Sequence, residues 1–234
     1  MTNPPPSLTN NDAHRGVFID FEGTAIDPPS LLGIYVPETG HFDQPVIEQA
    51  LWPAASIPSQ PTVGRVAPRA CTLTDALHDI KTRAISERRR CFAFSNHELD
   101  VIHEATAGDP WWDDNVINVA PLAKRWKRTT HPNVTFVRDA RRGRHTLDQY
   151  LQLINYPVPP AFGPGNSAQR IRHVRRAALA ASSDIVNFTR TQKAKWTKAL
   201  QHNWFDCAGL HALTTAITTI STHCTDDAFT NNRS

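Results

Sequence analysis

Apolar and polar positions along the chain change their period several times, and each change marks an element. Residues 16 to 22, GVFIDFE, are apolar at consecutive positions after a glycine, which predicts a central strand buried on both faces. SLLGIYV (30 to 36) and QPVIEQAL (44 to 51) follow across DPP and PETGHF, so the first third reads as a three-stranded antiparallel meander. The period then becomes helical. In TLTDALHDIKTRAISE (72 to 87), Leu73, Ala76, Leu77, Ile80 and Ile85 form an apolar stripe, with Thr72 as N-cap and Asp75 three residues on. CFAFS (91 to 95) is short and apolar, and after a helix it is expected to return as a parallel partner of the first strand. NHELDVIHEATA (96 to 107) reads as a helix, NVINVAP (115 to 121) as a strand or loop, LDQYLQLI (147 to 154) as a helix and residues 155 to 166 as a loop. Further helices fill the remainder, the last from about Lys193 to Thr222. The expected fold is α/β: a mixed sheet of three antiparallel strands plus parallel strands, flanked by helices.

Composition sets the limits of this picture. A chain of 234 residues with 40% hydrophobic and 20% charged positions fits one folded domain over residues 15 to 222. The Pro- and Asn-rich lead, residues 1 to 14, is expected to be disordered, and 223 to 234 to be a polar tail. Neither a membrane-spanning run nor a secretory signal is apparent, so a cytoplasmic location is expected. Cys71, Cys91, Cys207 and Cys224 lack CxxC spacing and read as buried free thiols rather than metal or redox sites. The net charge is only +3, yet ERRR (87 to 90), KRWKR (124 to 128), RRGRH (141 to 145) and RIRHVRR (170 to 176) concentrate the cations. One such run is usually a solvated face; four suggest a polyanionic partner, most simply nucleic acid.

Three segments carry candidate chemistry. Asp20 and Glu22 alternate onto one face of their strand, roughly 6.6 Å apart along it, and can converge on a cation. The bland alternative, a strand that merely reaches solvent, fits poorly with the unbroken Val17–Phe18–Ile19 run just upstream. Asn96 and Asp100 in SNHELD open the helix after the returning strand, where capping of the helix dipole would equally explain Glu98 or Asp100. His202 and Asp206 in HNWFDCAGL stand at i and i+4, flanking an apolar stripe, as ordinary surface pairs also do.

Taken in order, these segments resemble the DEDD nucleases, the ribonuclease H-like family of 3'-to-5' exonucleases. IDFEGT matches the first motif with Asp20 and Glu22, SNHELD the second with Asn96 and Asp100, and HNWFDCAGL the third with Asp206 and His202. HTLDQYLQLINYPVP (145 to 159) looks like the helix connecting the last two motifs, and the likeness spans about residues 16 to 220. One departure stands out: His202 precedes Asp206 by four residues, where the family has a Tyr at four or a His at five.

The resemblance implies two divalent ions, Mg²⁺ or Mn²⁺, about 3.5 to 4 Å apart, held by Asp20, Glu22, Asp100 and Asp206. It implies His202 as the base that takes the proton of an attacking water. Thr24, Asn96 and Asn203 are candidates for positioning substrate, and Arg141, Arg142, Arg144, Arg170 and Arg172 for gripping its phosphates. An endonuclease with the same metal site, or a catalytically inactive nucleic-acid- or protein-binding module on the same fold, are the alternatives. DNA and RNA are not distinguished, and the oligomeric state is open.

Overall fold

A computed structural model describes residues 8–23, 28–57, 68–138, 143–162, 166–180 and 188–230, with the side chains of 220–230 outside that description. Strand β1, Val17–Glu22, lies inside a seven-stranded mixed sheet. It pairs antiparallel with β2, Leu31–Val36, and parallel with β6, Cys91–Ala93, as the apolar runs predict. β6 in turn pairs parallel with β7, Val116–Asn118. Burial on both faces explains why β1 shows no alternation until Asp20.

The third strand of the expected meander is not one strand. β3, His41–Asp43, and β4, Pro45–Val46, each pair antiparallel with β2, and β5, Arg69–Ala70, runs parallel to β4. The expected 44–51 strand is cut short because Pro45 brings no N–H to a ladder and the next two amides, Ile47 and Glu48, both donate to the Ser30 carbonyl. The chain turns there into a 3₁₀ helix, Gln49–Ser56.

Helices cover both faces of the sheet. On one side α2, Leu73–Glu87, with α3, Asn96–Ala105, and α4, Trp111–Asn115, packs on Val17, Ile19, Phe21, Leu32 and Ile34. Thr72 caps α2 as expected, accepting from the Asp75 amide, whereas Ile85 faces outward and is exposed. On the other side α5, Val119–Thr130, α6, Leu147–Leu153, and the long α8, Arg190–Thr230, enclose Phe18, Phe92, Tyr150 and Leu213. α7, Asn166–Ala180, packs with the start of α8 and the 3₁₀ helix around Leu51 and Trp196. Each of these large apolar side chains contributes about 1.5–3 kcal/mol by leaving water.

Among the described residues, helix extends beyond residues 15 to 222 in both directions. Residues Asn10–Arg15 form α1, opened by a capping box between Thr9 and Asp12 and seated by the buried Ala13. Helix α8 runs past the expected boundary at 222, to Thr230. Cys71, Cys91 and Cys207 are buried free thiols. Among the described residues no helix is long and apolar enough to cross a membrane.

Candidate metal centre

Alternation along β1 sends Phe18, Asp20 and Glu22 toward α8 while Val17, Ile19 and Phe21 face α2. Asp20 lies opposite Gly33 of β2. A Cβ at position 33 would stand 2.6 Å from Asn203 Oδ1 and 2.7 Å from Cys207 Sγ, so the absence of a side chain is what lets α8 lie close over β1. At that crossing Asn203 donates from Nδ2 to both Oδ2 and the main-chain oxygen of Asp20, each at 3.0 Å. Its own Oδ1 accepts from Gln44 Nε2 at 3.2 Å, and the same Gln44 nitrogen donates to the Leu200 carbonyl at 2.8 Å. Asn203 is thus fully buried and binds Asp20 rather than facing a substrate, a correction to its expected role.

Around Asp20 the electrostatics are those of crowded acids. Burial pushes its carboxyl well above the usual range, and the charges of Asp206, Glu22 and Glu98 add to the rise, against the Asn203 hydrogen bond. Glu22 is 7% exposed, and burial together with Asp206 moves its carboxyl up to about 7, opposed by His202, Ser167 and Arg170.

His202, 6% exposed, completes the cluster from one turn before Asp206. Its Nε2 lies 3.2 Å from Asp206 Oδ2 and 4.0 Å from Glu22 Oε1. Burial alone would depress the imidazole, but the hydrogen bond and charge of Asp206, with Glu22, leave it above its ordinary value. One potential ligand atom from each of Glu22, His202 and Asp206 lies within 4.8 Å of the others. Three buried polar atoms here have no hydrogen-bond partner among the described residues: Glu22 Oε1, His202 Nδ1 and Arg170 Nη1. An orphaned carboxylate oxygen beside a second carboxylate and an imidazole is the donor set of a divalent cation, and these residues fit one.

Above the cluster, the Phe162 ring meets the His202 ring edge-on at 5.9 Å, and Arg170 donates to the Ala161 carbonyl. Ser167, Phe162 and Gln44 are site residues that the sequence motifs did not point to. A glycine inside a strand was the legible sign of a close approach at position 33.

Helix α3 departs most from expectation. Asp100 is exposed and does not join the cluster. The α3 carboxylate that acts on Asp20 is Glu98, which is 7% exposed and accepts from Ser95 N at 3.0 Å and Ser95 Oγ at 2.6 Å. A capping box fixes Glu98 toward the helix start, and Asp100, two residues on, is rotated roughly 200° around the axis. Asn96 is exposed, its Oδ1 accepting from Asn118 Nδ2 at 2.6 Å, and so ties the start of α3 to that of α5. Two positions along α7 separate Arg170, turned to Glu22, from the exposed Arg172.

The basic runs are put to different uses. Arg89 is buried in ion pairs with Glu38 and Glu87, and Arg175 pairs with Glu48, so these cations serve the fold. Arg144 stays exposed, near Lys124 and Lys127, whose charges with burial depress His145. Thr24, Arg141 and Arg142 lie outside the described residues.

The fold is an α/β arrangement with a seven-stranded mixed sheet flanked by helices, consistent with a ribonuclease H-like order. No protein-family model, curated protein or solved structure matches the chain.

Proposed function

We propose that this protein is a metal-dependent nuclease that hydrolyses phosphodiester bonds in DNA or RNA, acting as a 3'-to-5' exonuclease. One observation carries the reading: Glu22, His202 and Asp206 converge near the carboxyl end of β1, with Asp20 close enough to feel the charges of both acids and Glu22 Oε1 buried and unpartnered among the described residues. Three acids held this close repel one another, and the arrangement is sensible when a cation neutralises them. Bound Mg²⁺ or Mn²⁺ supplies a Lewis acid for a phosphate oxygen and lowers the pKa of a water.

The chain's own residues do the rest. Glu22 and Asp206 hold the cation, and Asn203 fixes the Asp20 carboxylate by gripping its side chain and its backbone together. Asp20, whose carboxyl feels the charge of Glu98, would be the ligand shared with any second ion. Arg170, turned to Glu22, adds a positive charge beside the cluster. Phe162 shields the His202 side of the cluster from bulk water.

End-labelled single- and double-stranded DNA and RNA, incubated with and without Mn²⁺ beside Asp20→Asn, test this. Metal-dependent shortening from the 3' end, reduced about 10³-fold in the variant, is the expected result. Mid-strand cuts would make the protein an endonuclease, and no cleavage of any substrate would leave a binding module.

A further inference from the structure

We infer that His202 is a ligand of the cation at Glu22 and Asp206, so that this ion has a mixed nitrogen and oxygen donor set and Mn²⁺ is held in preference to Mg²⁺. The inference rests on reading the cluster as a cation site and does not depend on what the protein cleaves.

Position comes first. Of the two imidazole nitrogens, Nε2 points between the carboxylates, 3.2 Å from Asp206 Oδ2 and 4.0 Å from Glu22 Oε1. A base that takes a proton from a substrate-side water must face that water, but this ring is nine-tenths buried and flanked by Phe162. The nitrogen is aimed into the cluster instead.

The spacings agree with coordination. Bonds of about 2.1 Å put adjacent ligands around an octahedral ion about 3.0 Å apart and opposite ligands about 4.2 Å apart. The two separations from Nε2 lie within about 0.2 Å of these values, and all three ligand atoms lie within 4.8 Å of one another, a spread that small side-chain shifts on binding would close. Asp206 Oδ2 lies within hydrogen-bond reach of His202 Nε2, but Glu22 Oε1 has no partner among the described residues and at 4.0 Å is beyond the reach of that nitrogen. One cation would engage all three groups together.

Ion preference follows from donor chemistry. Mg²⁺ keeps to oxygen ligands and waters, whereas imidazole suits first-row transition ions. Two carboxylates and a neutral imidazole also balance the charge of a divalent ion.

The test uses tag-free protein stripped with EDTA and titrated with Mn²⁺, read by pulsed electron paramagnetic resonance and by calorimetry. Wild-type protein is expected to show nitrogen modulation on bound Mn²⁺, altered when the histidines carry heavy nitrogen. In His202→Gln, checked for folding by circular dichroism, the modulation disappears and Mn²⁺ affinity falls about 10- to 100-fold, while Mg²⁺ affinity changes far less. Bound Mn²⁺ without nitrogen modulation in the wild-type protein overturns the inference, even if the variant fails to fold. Unchanged affinity in a folded His202→Gln overturns it as well, as does the absence of any Mn²⁺ binding. Nitrogen modulation in a protein that cleaves nothing would remove the nuclease reading and leave this one standing.

Discussion

Two helices reach the carboxyl end of the central strands, and they contribute very differently. α8 lies directly over β1 and delivers His202, Asn203 and Asp206 into one buried cluster. α3 touches the same edge end-on, and its first turn is committed to a capping box, so it offers Glu98 inward and turns Asp100 away. A helix that crosses a strand can align three side chains with it. A helix that begins at a strand's end has its inward face decided by how its own amides are capped.

The strongest break of this comparison pairs Asp206→Asn with Asp100→Asn. The first is expected to cut metal-dependent cleavage about 10³-fold, or several kcal/mol of transition-state stabilisation, and the second to change it less than about threefold. Steady-state kinetics on one labelled substrate decides. Equal losses would mean that α3 contributes as α8 does.

Next in size is the pH dependence of the metal-free protein. Glu22, at about 7, and Asp20 hold protons more tightly folded than unfolded, and so does His202. For the two acids, stability is full below their unfolded values and declines as pH rises through the raised folded ones. For His202 the added stability is likewise complete below its unfolded value and lost above its folded one. All three therefore give the same sign: stability of EDTA-treated protein falls between about pH 4.5 and 8, by roughly 3 kcal/mol for Glu22 alone. Urea unfolding across this range measures it, and Glu22→Gln should remove its share of the slope while that of Asp20 and His202 remains. Millimolar Mn²⁺ should flatten the curve, since it stabilises most where the acids are ionised.

Gly33→Ala sharpens the α8 side. The new methyl would meet Asn203 and Cys207 at well under contact distance, so a loss of about 1–3 kcal/mol is expected, with weaker metal binding as α8 is lifted. A smaller effect tests α3: Glu98→Ala loses half of a capping box, about 1 kcal/mol by urea denaturation, and lets Asp20 titrate closer to its ordinary value by NMR.

Much of this fold was legible in the hydrophobic pattern. β1, α2 and β6 were anticipated because each carries its own local signal: an unbroken apolar run, a Thr72 cap, a short apolar return. The early end of β4 was not, because it depends on where Ile47 and Glu48 send their amides, and Ser30 is remote in the chain. In the site, Glu22, His202 and Asp206 come together, and Asp20 stands beside them in the grip of Asn203. Asp100 was preferred over Glu98 by motif spacing, although Ser95 with Glu98 three residues later spelled the capping box that decides between them. Asn203 was misread for a different reason: its partners, Gln44 and Asp20, lie 159 and 183 residues away, beyond any local pattern. The choice of Arg170 over Arg172 likewise follows only from how α7 packs.

The long reach between Asp20 and Asn203 also bears on when the centre first exists. At about 5–20 residues per second, the ribosome adds Asn203 roughly 10 to 40 s after Asp20. Throughout that interval the acids of β1 have no helix above them, and neither the Asn203 grip nor the His202–Asp206 pair has been made. Whatever chemistry the cluster performs is therefore withheld from the nascent chain and begins only when α8 has emerged and settled over Gly33.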